Sequence, residues 1–280
     1  MKTKILTLVA LLTAGFALAQ VQGTPVSGHV SSDTAGSVAM LVKYIGTSNT
    51  ATIAVDAATG DIAFVAAGAA DTANIDTASV CAGGVADSLD TSDTQCDTFG
   101  EILDLINAST HWRAVLVGAL RTDTTNNTIT TFGATQATSS KGLALYFDSA
   151  VSLTTSVPLI PEDCKTNIGC YMSPQGKLRE NPYGGTQTDV RWVEGYSTFA
   201  TTGTFNIYSV KPSQKAAGTE SVLTLHSEVT GASGTNAQLT QFQYYGLLGR
   251  PHEKVIVRIT DTGASSAFNL HAYGFVRSVN

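Results

Sequence analysis

Charge is scarce in this chain of 280 residues. Lysine and arginine together number 16, aspartate and glutamate number 22, and charged residues make up 14% of the chain, against about 25% in an average soluble domain. The net charge is −6, and no basic run occurs anywhere. Proteins that bind nucleic acid or an anionic membrane surface concentrate positive charge. We therefore predict that neither of these is a partner.

Long apolar runs are lacking beyond the first twenty residues. Residues 1–19 combine two lysines, an apolar stretch over 5–18 and the ending Ala17-Leu18-Ala19, which is typical of a cleaved secretory signal. The stretch is shorter than the roughly 20 residues of a membrane-spanning helix, so an uncleaved anchor is the less favoured alternative. The sequence predicts a signal peptide over 1–19, one β-sandwich domain over 20–280, and a secreted, extracellular protein free of the membrane.

Only four cysteines are present, and their spacings match no zinc motif. An exported protein enters an oxidising compartment, where cysteines pair as disulfides. Proximity favours Cys81 with Cys96 and Cys164 with Cys170, although four cysteines permit three pairings. Closing the first loop is worth about 3 kcal/mol in the chain-entropy model. The second pair is expected to pin a proline-rich loop at 157–187.

Catalytic signatures are missing as well. HExxH, GxSxG and the Walker and Rossmann glycine patterns do not occur, and no two of the five histidines lie within four residues of each other. A Ser-His-Asp site assembled from distant strands is the remaining enzymatic alternative, because triads are defined by geometry. Nothing in the sequence points to such a site, so we predict that the protein is not an enzyme.

Short β-type segments make up most of the remaining chain. They are rich in β-branched and aromatic residues and are bounded by Gly, Asn, Asp or Pro, as in "SVAMLVKYI", "WRAVLVGAL" and "EKVIVRIT". Their number and spacing predict a mostly-β fold, an antiparallel β-sandwich or jelly-roll. One short α-helix is predicted at 99–108, because Thr98 and Glu101 match a capping box ahead of an apolar run.

The acidic segment between Cys81 and Cys96 raises the question of a cation site. Asp87, Asp90 and Asp93 offer the oxygen ligands that calcium prefers, which makes calcium the one candidate cofactor. The segment lacks the order of aspartates and glutamate in an EF-hand loop. Aspartates just before a helix also interact favourably with the helix dipole. The favoured interpretation is a stapled, solvated loop, and calcium binding is the alternative.

Three aromatic residues form a second candidate site. Trp192 and Tyr196 lie four residues apart, so they share a face of an ideal strand, and Tyr183 lies upstream. Such a platform stacks on sugar rings, which makes a glycan the candidate ligand. The interpretation that the sequence favours, however, is that Trp192 is a core residue on the same side as Val190. Trp112, at the start of an apolar strand, is likewise expected in the core.

These features favour a secreted, non-enzymatic structural protein. We expect a subunit that self-associates into an extracellular layer, appendage or shell, because the surface is neutral and few lysines are available to blunt exposed edge strands. The ordered loop at 157–187 would reach a neighbouring copy. The alternative is a carbohydrate-binding or adhesive module, which would be calcium-dependent if the acidic segment binds a cation.

Overall fold

The computed structural model describes residues 23–31, 37–70, 75, 81, 88–126, 128–148, 153–173, 177–178, 182, 186–197, 203–211, 222–231, 242–243, 246–248, 254–261 and 268–278. Seventeen strands and one α-helix lie in these ranges: β1 (Thr24–Ser31), β2 (Val38–Tyr44), β3 (Ala51–Val55), β4 (Ile62–Ala66), β5 (Ala69–Ala70), β6 (Ser88–Leu89), α1 (Phe99–Ala108), β7 (Trp112–Leu116), β8 (Phe132–Gln136), β9 (Leu143–Tyr146), β10 (Leu153–Pro158), β11 (Thr186–Ser197), β12 (Gly203–Lys211), β13 (Val222–Gly231), β14 (Phe242–Gln243), β15 (Gly246–Leu248), β16 (Lys254–Asp261) and β17 (Phe268–Ser278). The pairings among these strands are antiparallel. The prediction of a mostly-β antiparallel fold with a helix at 99–108 is confirmed.

Two of the four sheets form a sandwich. The first sheet has the order β1-β17-β11-β14, with β15 also paired to β11, and the second has the order β10-β16-β12-β13. Buried side chains of both sheets form one hydrophobic cluster, which includes Val26, Val190, Val193, Val257 and Leu270. The predicted sandwich is therefore confirmed, whereas the jelly-roll connection stays a prediction.

The other two sheets and helix α1 surround a second core. Their strand orders are β7-β2-β9 and β5-β4-β3-β8, with β6 paired to β4. Trp112 lies fully buried in this core, and its ring meets Tyr44 and Phe64 edge-on at centroid distances of 4.9 and 5.1 Å. Ile102 and Ile106 of α1 belong to the same cluster. The expectation that Trp112 is a core residue is confirmed.

Helix α1 begins at the predicted capping box. The Thr98 hydroxyl accepts a hydrogen bond from the Glu101 backbone N–H at 3.3 Å, and the Glu101 carboxylate accepts one from the Thr98 N–H at 3.2 Å. The backbone N–H groups of Phe99 and Gly100 donate to the carbonyl oxygens of Asp123 and Arg121, respectively. The turn at 121–123 thus satisfies donors that a helix start leaves unpaired.

Strand β16 is buried on both faces and joins the two cores. One face points into the sandwich through Val255, Val257 and Ile259, and the other carries Lys254, Ile256 and Arg258. The Lys254 ammonium donates to the backbone carbonyls of Leu116 and Val117. Ile256 packs against Leu120. The side of β16 that faces away from the sandwich core therefore binds the segment that follows β7.

The cysteines pair as their spacing predicts. The Cα atoms of Cys81 and Cys96 are 6.0 Å apart, and those of Cys164 and Cys170 are 5.5 Å apart. Two 3₁₀ helices, Glu162–Lys165 and Ile168–Tyr171, carry the second disulfide within the predicted loop at 157–187. The ends of that segment belong to β10 and β11. Two disulfides fit an oxidising compartment.

No helix in the described part of the chain is long and apolar enough to cross a membrane. Residues 1–19 lie outside the described residues. The signal peptide over 1–19 and the single domain over 20–280 therefore stay predictions.

Candidate functional site

A cleft of 720 Å³ opens on the outer face of the first sheet. We call it the outer cleft and define it by side chains of β1, β11, β17 and the first 3₁₀ helix: His29, Trp192, His271, Tyr273, Glu162 and Lys165. These residues come from four separate segments of the sequence. Antiparallel pairing of β17 with both β1 and β11 brings three of the segments together.

A β-bulge turns Trp192 into this cleft. The register of β11 against β17 shifts between Val190 and Trp192. Val190 and Val193 are both fully buried, whereas Trp192 between them is half-buried and lies opposite Tyr273. The structure thus differs from the interpretation that places Trp192 in the core beside Val190. The extra residue of the bulge lets both valines face inward while the indole faces outward.

The rest of the predicted aromatic platform is only partly visible. Tyr183 lies outside the described residues, and of Tyr196 the backbone alone is described, paired with Asn269. Tyr273, which the sequence did not single out, takes the place beside Trp192. Its side chain is 39% exposed. The signal that points to Tyr273 is the alternation of His271, Tyr273 and Phe275 along one face of β17, in which Tyr273 and Phe275 meet edge-on at 5.3 Å.

Two histidines are stacked at the next row of the cleft. His29 of β1 lies directly opposite His271 of β17, with ring centroids 4.1 Å apart and planes 19° from parallel. Glu194 of β11 lies opposite His271 on the other side. Loss of solvent around the ring and the neighbouring His29 lower the pKa of His271, and the Glu194 carboxylate opposes this change. Among the described residues, no hydrogen bond involves either ring.

A charged pair borders the cleft where the first 3₁₀ helix meets β1. The Lys165 ammonium donates to the backbone carbonyl of Ser27 at 2.7 Å and to the Glu162 carboxylate at 2.6 Å. The Glu162 side chain is 82% exposed, whereas most of the Lys165 side chain is covered. Lys165 therefore holds the 3₁₀ helix against β1 and uses one oxygen of the Glu162 carboxylate, while the Glu162 side chain as a whole stays exposed to the cleft.

The predicted calcium ligands serve local turns. Asp87 lies outside the described residues. The Asp90 carboxylate accepts hydrogen bonds from the N–H and hydroxyl of Ser92 at 2.8 and 2.7 Å, and the Asp93 carboxylate accepts one from the Gln95 N–H at 2.9 Å. One oxygen of each carboxylate is thus used to shape the stapled segment. Calcium binding by Asp87, Asp90 and Asp93 stays a prediction.

A buried carboxylate lies close to this segment. Asp61 is 2% exposed and lines a second cleft, of 390 Å³. One of its oxygens accepts a hydrogen bond from the Ser88 hydroxyl at 3.4 Å, and the other has no partner among the described residues. Burial raises the pKa of Asp61, and the charges of Asp90 and Asp56 act in the same direction. Asp61 is therefore a further acidic group that a cation in this region would meet.

The closest group of metal-ligand types in the described residues is unsuitable. Ligand atoms of Asp163, Cys164 and Cys170 lie within 4.8 Å of one another. Both sulfur atoms belong to the disulfide, however, which leaves one exposed carboxylate. We exclude this group as a metal centre, because a disulfide sulfur is not a thiolate ligand.

No family model, curated protein or solved structure matches this chain. The fold and the outer cleft define a disulfide-bonded β-sandwich protein with an aromatic and histidine-lined cleft on one sheet face. Function is therefore inferred from the chemistry of that cleft.

Proposed function

We propose that this protein is a secreted carbohydrate-binding or adhesive module whose binding surface is the outer cleft. The observation that carries this proposal is the outward turn of Trp192, which places an indole ring opposite the exposed Tyr273. Large aromatic side chains that stay accessible in a cleft are typical of ligand sites. Their apolar faces match the C–H faces of sugar rings.

Polar groups around these rings complete the chemistry that a sugar needs. Glu162 offers exposed carboxylate oxygens, and the imidazole rings of His29 and His271 face the same cleft. Such groups hydrogen-bond hydroxyls and fix the orientation of a ligand that the aromatic rings hold. The formal charges of Lys165 and Glu162 neutralise each other. We therefore expect neutral oligosaccharides to bind better than sulfated or uronic-acid chains.

Export is part of the proposal. The segment 1–19 has the composition of a secretory signal, and the two disulfides are typical of proteins outside the reducing cytosol.

The test is direct binding of soluble neutral oligosaccharides. We expect Trp192→Ala and Tyr273→Ala each to weaken binding by roughly thirtyfold, because truncation of an aromatic hot spot costs about 2 kcal/mol or more. The measurement is isothermal titration calorimetry with xylo-, cello-, manno- and chito-hexaoses, in EDTA so that no metal contributes. Ile45→Ala is the matched control, since Ile45 is 38% exposed but lies outside the cleft.

Two results would overturn the glycan proposal. One is that none of the wild-type titrations shows binding at millimolar ligand. The other is that Ile45→Ala weakens binding as much as the two cleft variants, which would place the interaction elsewhere. Thermal denaturation of each variant separates a loss of binding from a loss of fold.

A second candidate function is the self-assembling structural subunit, which an exposed edge strand favours. Strand β8 pairs with β3 alone among the described strands. Its residues, FGATQ, contain neither charge nor proline, and four of the five side-chain positions, 133–136, are exposed. An edge strand that carries neither charged residues nor proline is open to pairing with a strand of another copy.

If copies of the chain assemble through β8, a single charge added to this strand should dissociate the assembly. We expect the wild type to form oligomers in light scattering coupled to size-exclusion chromatography, and Thr135→Lys to shift the population to monomer. Thr122→Lys adds the same charge to an exposed turn and serves as the control. A wild type that is monomeric at all concentrations, or a Thr122→Lys variant that dissociates equally, would contradict the edge-pairing proposal.

A further inference from the structure

A row of three metal-ligating side chains crosses the first sheet. His29, His271 and Glu194 occupy directly paired positions on the neighbouring strands β1, β17 and β11. We propose that these three residues form a binding site for a divalent transition-metal ion, with Zn²⁺ as the reference ion. Two imidazoles and one carboxylate are a ligand set that suits zinc and copper.

The strand register accounts for this placement. Paired residues of adjacent antiparallel strands carry side chains on the same face, with Cβ atoms about 4.5–5.5 Å apart. The imidazole rings of this pair stack on each other, with centroids 4.1 Å apart. The next strand supplies Glu194 at the same level, close enough for its charge to act on His271. The scaffold under the ligands is rigid, because Val193 and Ala272 behind them are buried in the sandwich core.

The ring nitrogens are available for a metal. Both histidines are exposed to the outer cleft, and neither ring takes part in a hydrogen bond among the described residues. Among the described residues that line the cleft, the positive group is the Lys165 ammonium, which is held by the Glu162 carboxylate and the Ser27 carbonyl. A cation in this row therefore meets two neutral donors and one carboxylate, with the nearby positive charge already paired.

Closure around the ion requires side-chain rotation. The ligand atoms of the three residues are not gathered as tightly as those of Asp163, Cys164 and Cys170, which lie within 4.8 Å of one another. In the metal-bound state that we propose, the imidazoles turn out of their stack and Glu194 extends toward them from the neighbouring strand. Water from the cleft fills the remaining positions, so the site is open and accessible to an external ligand.

The metal proposal shares His29 and His271 with the proposed glycan surface but is tested separately from it. Trp192 and Tyr273 occupy the neighbouring row of the sheet, and the glycan titrations contain EDTA. Failure of metal binding therefore leaves the glycan result standing, and the reverse also holds.

The experiment is zinc titration of the tag-free, full-length protein. We expect one Zn²⁺ to bind by isothermal titration calorimetry, and His29→Ala and His271→Ala each to weaken it by at least about tenfold, since even outer-shell substitutions cost that much. Glu194→Gln should weaken binding less, and Cu²⁺ should bind more tightly than Zn²⁺. His111→Gln, which changes a histidine outside the cleft, should leave the affinity unchanged.

A spectroscopic readout assigns the ligands without relying on affinity. In ¹H–¹⁵N spectra of the imidazole rings, Zn²⁺ should shift the signals of His29 and His271 and leave those of His111 in place. Absence of binding at 1 mM free Zn²⁺ would overturn the proposal, and so would wild-type affinity in the His29→Ala, His271→Ala double variant. Thermal denaturation without metal shows whether each variant is folded.

Discussion

Replacement of Asp123 by alanine is expected to lower the free energy of unfolding by about 3–5 kcal/mol, because it leaves a buried cation without its partner. The Arg258 guanidinium donates through both terminal nitrogens to the two carboxylate oxygens of Asp123, each at 2.6 Å. The side chains are only 6% and 14% exposed. Arg258 also donates to Ser156 and to the Gly118 carbonyl, so it cannot easily turn to solvent.

The position of the Asp123–Arg258 pair increases the stability cost of removing the Asp123 carboxylate. Arg258 lies on the face of β16 that meets the segment after β7, and the Asp123 carboxylate also accepts a hydrogen bond from the Leu120 N–H at 2.7 Å. The Asp123 backbone carbonyl receives the N–H of Phe99 at the start of α1. Loss of the carboxylate therefore disturbs the contact between the two cores and the turn that supports the helix.

Urea denaturation followed by circular dichroism measures this effect. Glu162→Ala is the control, because it removes the exposed partner of Lys165 and should cost no more than about 1 kcal/mol. A second variant, Asp123→Leu with Arg258→Met, should recover most of the lost stability, since apolar replacement of a buried pair is often neutral. If Asp123→Ala costs no more than Glu162→Ala, then water reaches Arg258 and the pair does not hold the cores together.

Local patterns predicted the local structure of this protein. The helix at 99–108 follows from Thr98 and Glu101, whose hydrogen bonds depend only on residues three apart. The disulfide pairs follow from short loops, and the strands follow from β-branched and aromatic runs between turn residues. In each case the interaction that decides the structure lies within a short stretch of sequence.

The outer cleft depends instead on register between distant strands. His29 and His271 are paired although they lie 242 positions apart in the sequence, and nothing near either residue indicates the other. A shift of one residue would turn every side chain of a strand to the opposite face. The bulge between Val190 and Trp192 is such a shift. The sequence prediction assumed that residues two apart on a strand share a face, and for this reason it placed the indole of Trp192 in the core beside Val190. The Asp123–Arg258 ion pair could not be predicted from the sequence for the same reason, because it too joins distant segments.

The two tryptophans test the assignment of Trp112 to the core and of Trp192 to the outer cleft. Trp112→Ala is expected to cost about 3–5 kcal/mol of unfolding free energy, the usual range for a large aromatic removed from a core. Its ring is fully buried and makes edge-on contacts with Tyr44 and Phe64 that a cavity would abolish. The backbone N–H of Trp112 is also held by the Ser109 hydroxyl, so the surrounding chain has little freedom to collapse into the space.

Trp192→Ala is the matched control, because it makes the same chemical change at a half-buried position in the outer cleft. We expect it to cost well under half of the Trp112 value while removing glycan binding, with stability measured by urea denaturation followed by circular dichroism. If the two substitutions cost the same, Trp192 is a core residue as the sequence favoured, and the cleft proposal fails with it. A large difference instead means that folding requires Trp112 but not Trp192, which leaves the indole of Trp192 available for a ligand.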